Sequence, residues 1–134
     1  MWSFIEYYMA KHSESIIFDD DHAYTYLNFV EMSKYHGTRL KSWLPPGCKC
    51  AILCKQEINT ALSILSAWYA GLVIIPLSLN YGKKHCQSIL ALTKPDVIIV
   101  DREENDCDIS GMTVYNVVSG ETNIIFNEEY WIYR

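Results

Sequence analysis

The chain has 134 residues, 50% of them apolar and 20% charged, with a formal net charge of −5. That length fits a single domain over 1–134 with a core of its own, and the composition excludes a disordered chain. The 11 Lys and Arg residues are scattered, which argues against nucleic-acid binding, since phosphate neutralisation needs clustered cations.

The N-terminus, MWSFIEYYMAKHS, lacks a basic stretch followed by an apolar core, so it does not read as a secretory leader. Five cysteines, Cys48, Cys50, Cys54, Cys86 and Cys107, are odd in number and irregularly spaced. With no leader they point to reduced thiols in a cytoplasmic protein. Ser15–Phe18 and Ala23–Tyr26 are expected as two short strands, a β-hairpin around Asp19-Asp20-Asp21, which reads as a solvated turn rather than a metal site. Thr25 can cap a helix from Tyr26 to Leu44. Tyr26, Val30, Ser33, Gly37, Leu40 and Leu44 form one face of it, and the small Ser33 and Gly37 would let another backbone come close. Pro45-Pro46-Gly47 stops that helix.

A strand over Cys50–Cys54 comes next. Residues 58–82, INTALSILSAWYAGLVIIPLSLNYG, then carry no charge. A membrane span needs about 20 apolar residues without strong breakers. Here Gly71 and Pro76 interrupt the run, and the residue types change at Gly71 from helix formers to β-branched residues. The expectation is a helix from Ile58 to Ala70, a Gly71 cap and a buried strand, Leu72–Ile75, ended by Pro76, with no membrane span. A helix over Lys83–Leu92 with Ile89 and Leu90 inward follows. Asp96–Asp101 is expected as a buried strand bracketed by acids. Thr113–Val118, Ile124–Phe126 and a segment starting near Tyr130 read as further strands. Alternation of strands and helices predicts an α/β, flavodoxin-like three-layer sandwich with a mostly parallel sheet between helices.

Chemistry is sparse. The loop Lys55-Gln56-Glu57 has no glycine to wrap a phosphate, and the loop after Val100 is acidic and would repel an anion. Ser119-Gly120-Glu121-Thr122 resembles part of a phosphate loop but lacks a second glycine and a lysine, so a plain turn is expected. Cys48, Cys50 and Cys54 lack zinc-site spacing and read as small apolar residues. His12, His22, His36 and His85 are dispersed and read as surface or partly buried. Catalytic, cofactor-binding and metal residues are therefore all expected to be none.

The order of motifs nevertheless resembles the adenylate-forming (AMP-binding) enzymes, which include acyl-CoA synthetases, adenylation domains of nonribosomal peptide synthetases, D-alanine–carrier-protein ligases and luciferases. Tyr24-Thr25-Tyr26 opens a helix, Cys50-Ala51-Ile52-Leu53 stands at the family's first strand, and Ala70-Gly71 followed by Leu72 to Leu77 matches its Ala-Gly…Pro-Leu piece. Ser88-Ile89-Leu90 and Lys94-Pro95-Asp96 through Asp101 match the next helix and strand. Cys48 and Lys49 depart from the usual Gly-Asp, and Tyr81 to His85 from the usual Pro-x-x-Arg.

The resemblance implies an N-terminal part of the large domain of a ligase that uses ATP and Mg²⁺ to make an acyl- or aminoacyl-adenylate and passes it to a thiol. The family's Ser/Thr/Gly loop ending in Pro-Lys-Gly, its ribose-binding aspartate and its C-terminal lysine are not in this sequence. Glu128 to Arg134 resembles the strand before that loop. The chain is thus expected to be a fragment, whether an excised piece, a split-gene product or a decayed copy. It would be inactive alone, carry no cofactor, pair with the rest of the enzyme and self-associate through an exposed apolar face. A stand-alone α/β interaction module and a small nucleotide binder are the competing readings.

Overall fold

A first helix, α1 (Trp2–Lys11), lies where no element is expected from the sequence. Trp2, Ile5 and Met9, spaced three and four apart, turn one side of it onto the core. Glu6 on α1 accepts a hydrogen bond from Trp2 Nε1 at 2.9 Å and pairs with Lys34. The structure, a computed structural model, describes residues 2–12, 16–18, 23–77, 82–103 and 107–123. The acidic triplet Asp19–Asp21, His22, the Ile124–Phe126 strand and the segment from Tyr130 lie outside these.

The hairpin pairs β1 (Ile16–Phe18) with β2 (Ala23–Thr25), Ile17 opposite Tyr24. Thr25 then caps α2 (Tyr26–Trp43), its hydroxyl accepting from the Asn28 amide at 3.1 Å. After it come β3 (Lys49–Leu53), α3 (Glu57–Tyr69), β4 (Val73–Pro76), α4 (Lys83–Thr93), β5 (Val97–Val100) and β6 (Val114–Asn116). The second sheet has the order β4-β3-β5-β6, and every pair in it is parallel.

Strand parity sorts the core into two layers. Cys50, Ile52, Val97, Ile99 and Tyr115 point toward α2 and α3, and Ala51, Leu53, Ile98 and Val100 share the other face with Cys86 and Leu90 of α4. This is the expected sandwich of helix, parallel sheet and helix. Among the described residues no helix is long and apolar enough to cross a membrane.

The uncharged stretch divides as its residue types imply. Gly71, at φ +76°, follows the end of α3, and the Leu72 amide reaches back to the Ala67 carbonyl. One expectation fails here. The strand after Gly71 is not buried: β4 stands at the sheet edge, and Val73 is 53% exposed. Continuous apolar runs mark central parallel strands, such as β5, whose four residues are all buried; an edge strand can share that composition.

The α2–α3 contact rests on small residues. A methyl group at Gly37 would stand 2.6 Å from Tyr69 Cδ1 and 2.8 Å from the Ser66 carbonyl oxygen. The buried Ser33, Ser63 and Ser66 hydroxyls each donate to the carbonyl four residues back, so the seam carries no unsatisfied hydroxyl. Gly37→Ala gains helix propensity, but the backbone carbonyl it meets cannot step aside. We expect a net loss of about 1–3 kcal/mol, read as a lower urea midpoint at unchanged slope.

Candidate functional site

In open parallel sheets, sites form beyond the carboxyl ends of the strands. Here β3 leads, past Cys54, into Lys55-Gln56, β5 into Asp101-Arg102 and β6 into Val117-Val118, and these last six residues reach the cleft. Together with Tyr24, Met32, His36, Asn59 and Leu62 they line a cleft of about 330 Å³.

Asp101 is the best-connected side chain in this cleft. Its carboxylate accepts from the Lys55 amide at 2.9 and 3.0 Å, the Gln56 amide at 2.9 Å and Asn59 Nδ2 at 3.1 Å. Helix α3 has no capping side chain of its own at Gln56. Asp101 supplies that cap from the neighbouring strand, placing a negative charge at the positive end of the helix. Asp96, at the other end of β5, accepts from the Lys49 amide at 2.7 Å. The acids that bracket β5 thus tie it to β3 at both ends. Asp101 keeps its negative charge at the rim of the cleft while these donors satisfy its oxygens.

Behind the cleft lies a cluster that the sequence reading misses. His36 is only 6% exposed, and its Nδ1 lies 2.6 Å from the Tyr115 hydroxyl of β6. The reading of every histidine as surface or partly buried therefore fails at His36. One turn along α2, the Arg39 guanidinium lies over the rings of Tyr35, Trp43 and Tyr115, with 5.2 Å to the Trp43 centroid. It donates to the Tyr35 hydroxyl at 3.0 Å and to the Gly120 carbonyl at 2.9 Å. Burial first, and the Arg39 charge second, pull the His36 pKa from 6.5 down to about 4. Burial pushes the Tyr115 hydroxyl up to about 12. Both groups are neutral at pH 7, which is what a buried pair beside a fixed cation requires. The available signal was the helical spacing of His36, Arg39 and Trp43 along the flank of the buried face.

The other sequence candidates take structural roles. The segment 117–120 is a turn: Asn116 Oδ1 accepts from the Val118 and Ser119 amides, and Gly120 sits at φ +76°. Cys50 and Cys54 are buried, and burial pushes both thiols up to about 12, so they behave as small apolar groups. His12 and His85 are exposed. Among the described residues no group of three His, Cys, Asp or Glu side chains could hold a metal ion.

The profile of the AMP-binding enzyme family matches residues 5–128. The chain belongs to this family. No curated protein matches it. Solved structures match its fold at low identity. The N-terminal subdomain of Klebsiella oxytoca NpsA, in complex with 3-hydroxyanthranilyl-AMSN, is 14% identical with a TM-score of 0.77, over 95% of this chain and 34% of that one. The O-succinylbenzoate coenzyme A synthetase MenE of Bacillus subtilis, bound to AMP, is 14% identical with a TM-score of 0.73, over 94% and 34%. The coronafacic acid ligase of Pectobacterium brasiliense, as its R395G mutant, is 18% identical with a TM-score of 0.69, over 75% and 20%. The chain thus spans about a third of the length of the NpsA and MenE chains. The elements described here share the fold of the N-terminal subdomain of NpsA.

Two outcomes test this account of the site. Asp101→Ala leaves two amides and the start of α3 without their acceptor, and should cost about 1–3 kcal/mol of unfolding free energy. For His36, the unfolded chain takes up its proton near pH 6.5 and the folded chain only near pH 4. The contribution is therefore intact above about pH 6.5 and is lost as pH falls through that window, by up to about 3 kcal/mol. Urea midpoints measured from pH 7 to pH 4 should fall steeply for the natural chain and less steeply for His36→Gln.

Proposed function

We propose that the chain is the N-terminal part of the large domain of an ATP-dependent, adenylate-forming ligase, and that it does not adenylate on its own. The parent enzyme would join a carboxylic acid to the α-phosphate of ATP with Mg²⁺, then pass the acyl- or aminoacyl-adenylate to a thiol. Membership of the AMP-binding family and the match of 95% of this chain to 34% of the NpsA chain support this reading. The stand-alone interaction module is not favoured, because the same comparisons join the fold to parts of larger ligases.

One observation carries the predicted inactivity. Phosphoryl and adenylyl transfer need donors free to meet developing charge. At the strand ends, the Lys55 and Gln56 amides already serve Asp101, and the Val118 and Ser119 amides serve Asn116. Lys55 and Arg102 line the cleft, but these four backbone amides are already engaged and offer no cradle for a phosphate, which supports the reading of an inactive chain. The sequence contains no Ser/Thr/Gly loop ending in Pro-Lys-Gly to supply others. In this reading the chain's role is structural, and its compartment is the cytoplasm.

The rest of the enzyme would cover surface that stands open here. Phe4, Tyr7 and Tyr8 lie on the outer side of α1 at 70%, 69% and 49% exposure. That aromatic surface supports the expected self-association of the chain when it is alone. Sedimentation velocity over a range of concentrations should show it, and a strict monomer at high concentration would count against a covered face.

Two measurements test the proposal. The purified 134-residue chain should give ATP–pyrophosphate exchange no higher than blank across a panel of carboxylic and amino acids. In the gene, the codons after Arg134 should encode a Ser/Thr-Ser-Gly-Thr-Thr-Gly-type loop. Exchange above blank would overturn the inactivity, and a stop codon there would overturn the single-polypeptide parent.

A further inference from the structure

One side of His36 is left unused by the fold. The residue is 6% exposed, and its Nδ1 lies 2.6 Å from the Tyr115 hydroxyl. Tyr115 is fully buried, and among the described residues that nitrogen is the one acceptor its hydroxyl meets. A buried O–H left without an acceptor is costly, so the phenol donates and Nδ1 accepts. The proton of the neutral His36 ring then sits on Nε2. Among the described residues Nε2 has no partner, yet it is not sealed away, and His36 lines the cleft beyond the strand ends. An N–H donor therefore faces that space from its buried side.

The surfaces beside this donor are apolar. Leu62 and Val117 are buried, and Met32 and Tyr24 are half-buried against the same core. The charges of the cleft belong to more exposed residues, Lys55, Asp101 and Arg102. They carry both signs and stand next to water, where one charge on a ligand gains little. An ion drawn in as far as His36 would shed most of its water for one neutral donor, whereas a carbonyl oxygen loses far less. The cleft, at about 330 Å³, is at the small end of ligand pockets, roughly 300–1,000 Å³, and suits a molecule with a single ring.

We propose that the cleft is a binding site for a small neutral ligand, one ring in size, whose carbonyl oxygen accepts from His36 Nε2 while the ring lies against Met32, Leu62 and Val117. The donor is set in advance. The Tyr115 hydrogen bond fixes the tautomer, and the T-shaped contact of the two rings, 5.6 Å between centroids, fixes the plane of the imidazole. Binding then needs no rotation of His36 and little loss of side-chain entropy. The site lies wholly within this chain and uses no nucleotide, so it stands whether or not the parent is a ligase.

The test uses the isotope-labelled 134-residue chain and benzamide as the probe, with benzoate and benzylamine as its anionic and cationic counterparts. Proton–nitrogen correlation spectra of the histidine rings at neutral pH should show His36 protonated on Nε2 before any probe is added. Benzamide should then shift the His36 signals saturably, with a Kd of about 1–10 mM, the range ordinary for a molecule of this size. Benzoate and benzylamine should bind more weakly. His36→Phe removes the donor and should weaken benzamide about tenfold, read from the amide signals of Asn59 and Val118. Because that change also deprives the Tyr115 hydroxyl of its acceptor, Val118→Trp is the second variant. It sets a bulky ring at an exposed position of the rim and should block the probe without touching the core. A proton on Nδ1, no saturable shift up to about 50 mM benzamide, benzoate or benzylamine bound as tightly as benzamide, or unchanged binding in either variant would each overturn the proposal.

Discussion

The close approach of α2 to α3 is the constraint on which the rest of the structure depends. Gly37 has no room for a methyl group against Tyr69 and Ser66. Because the helices meet this closely, both lie on one face of the sheet, and Phe29, Leu40, Leu62 and Ala67 can share the layer above Cys50, Ile52, Val97 and Ile99. A wider seam would lift α2 away from β6. It would separate His36 from Tyr115 and Arg39 from Gly120, and the wall of the cleft is made from those contacts.

A second constraint acts along the strands. Asp96 and Asp101 accept backbone donors from the two ends of β3. Central parallel strands leave such amides at their ends where helices and loops begin, and a carboxylate from the adjacent strand satisfies them without lengthening the chain. The same economy removes these amides from phosphate chemistry. In an adenylation enzyme, charge at the α-phosphate must be met by donors that are free when substrate arrives. The engaged amides are what supports the proposed structural role of the chain.

Much of this was legible in the sequence. Thr25 announced the start of α2, Gly71 the end of α3, and the pattern of Val97 to Val100 a buried strand, because each depends on local backbone preference or a short apolar run. The small residues Ser33 and Gly37 marked the helix seam. What failed did so for non-local reasons. The exposure of Val73 depends on which strand takes the edge, and His36 looks like any other histidine until Tyr115, 79 positions away, is brought beside it. Helix α1 went unread because its inward residues, Trp2, Ile5 and Met9, alternate with equally apolar outward ones, Phe4, Tyr7 and Tyr8, which blurs the amphipathic signal.

The sequence by itself determined the element order from β1 onward, the alternation that forces parallel pairing, and the motifs that place the chain in its family. These are properties of neighbours along the chain, governed by propensity, capping and period. Only the tertiary structure decided that Asp101 caps a helix and that His36 is buried neutral beside Arg39. Each of those depends on the free energy of groups brought out of water together, and a linear pattern carries no record of which distant residue will be there to meet them.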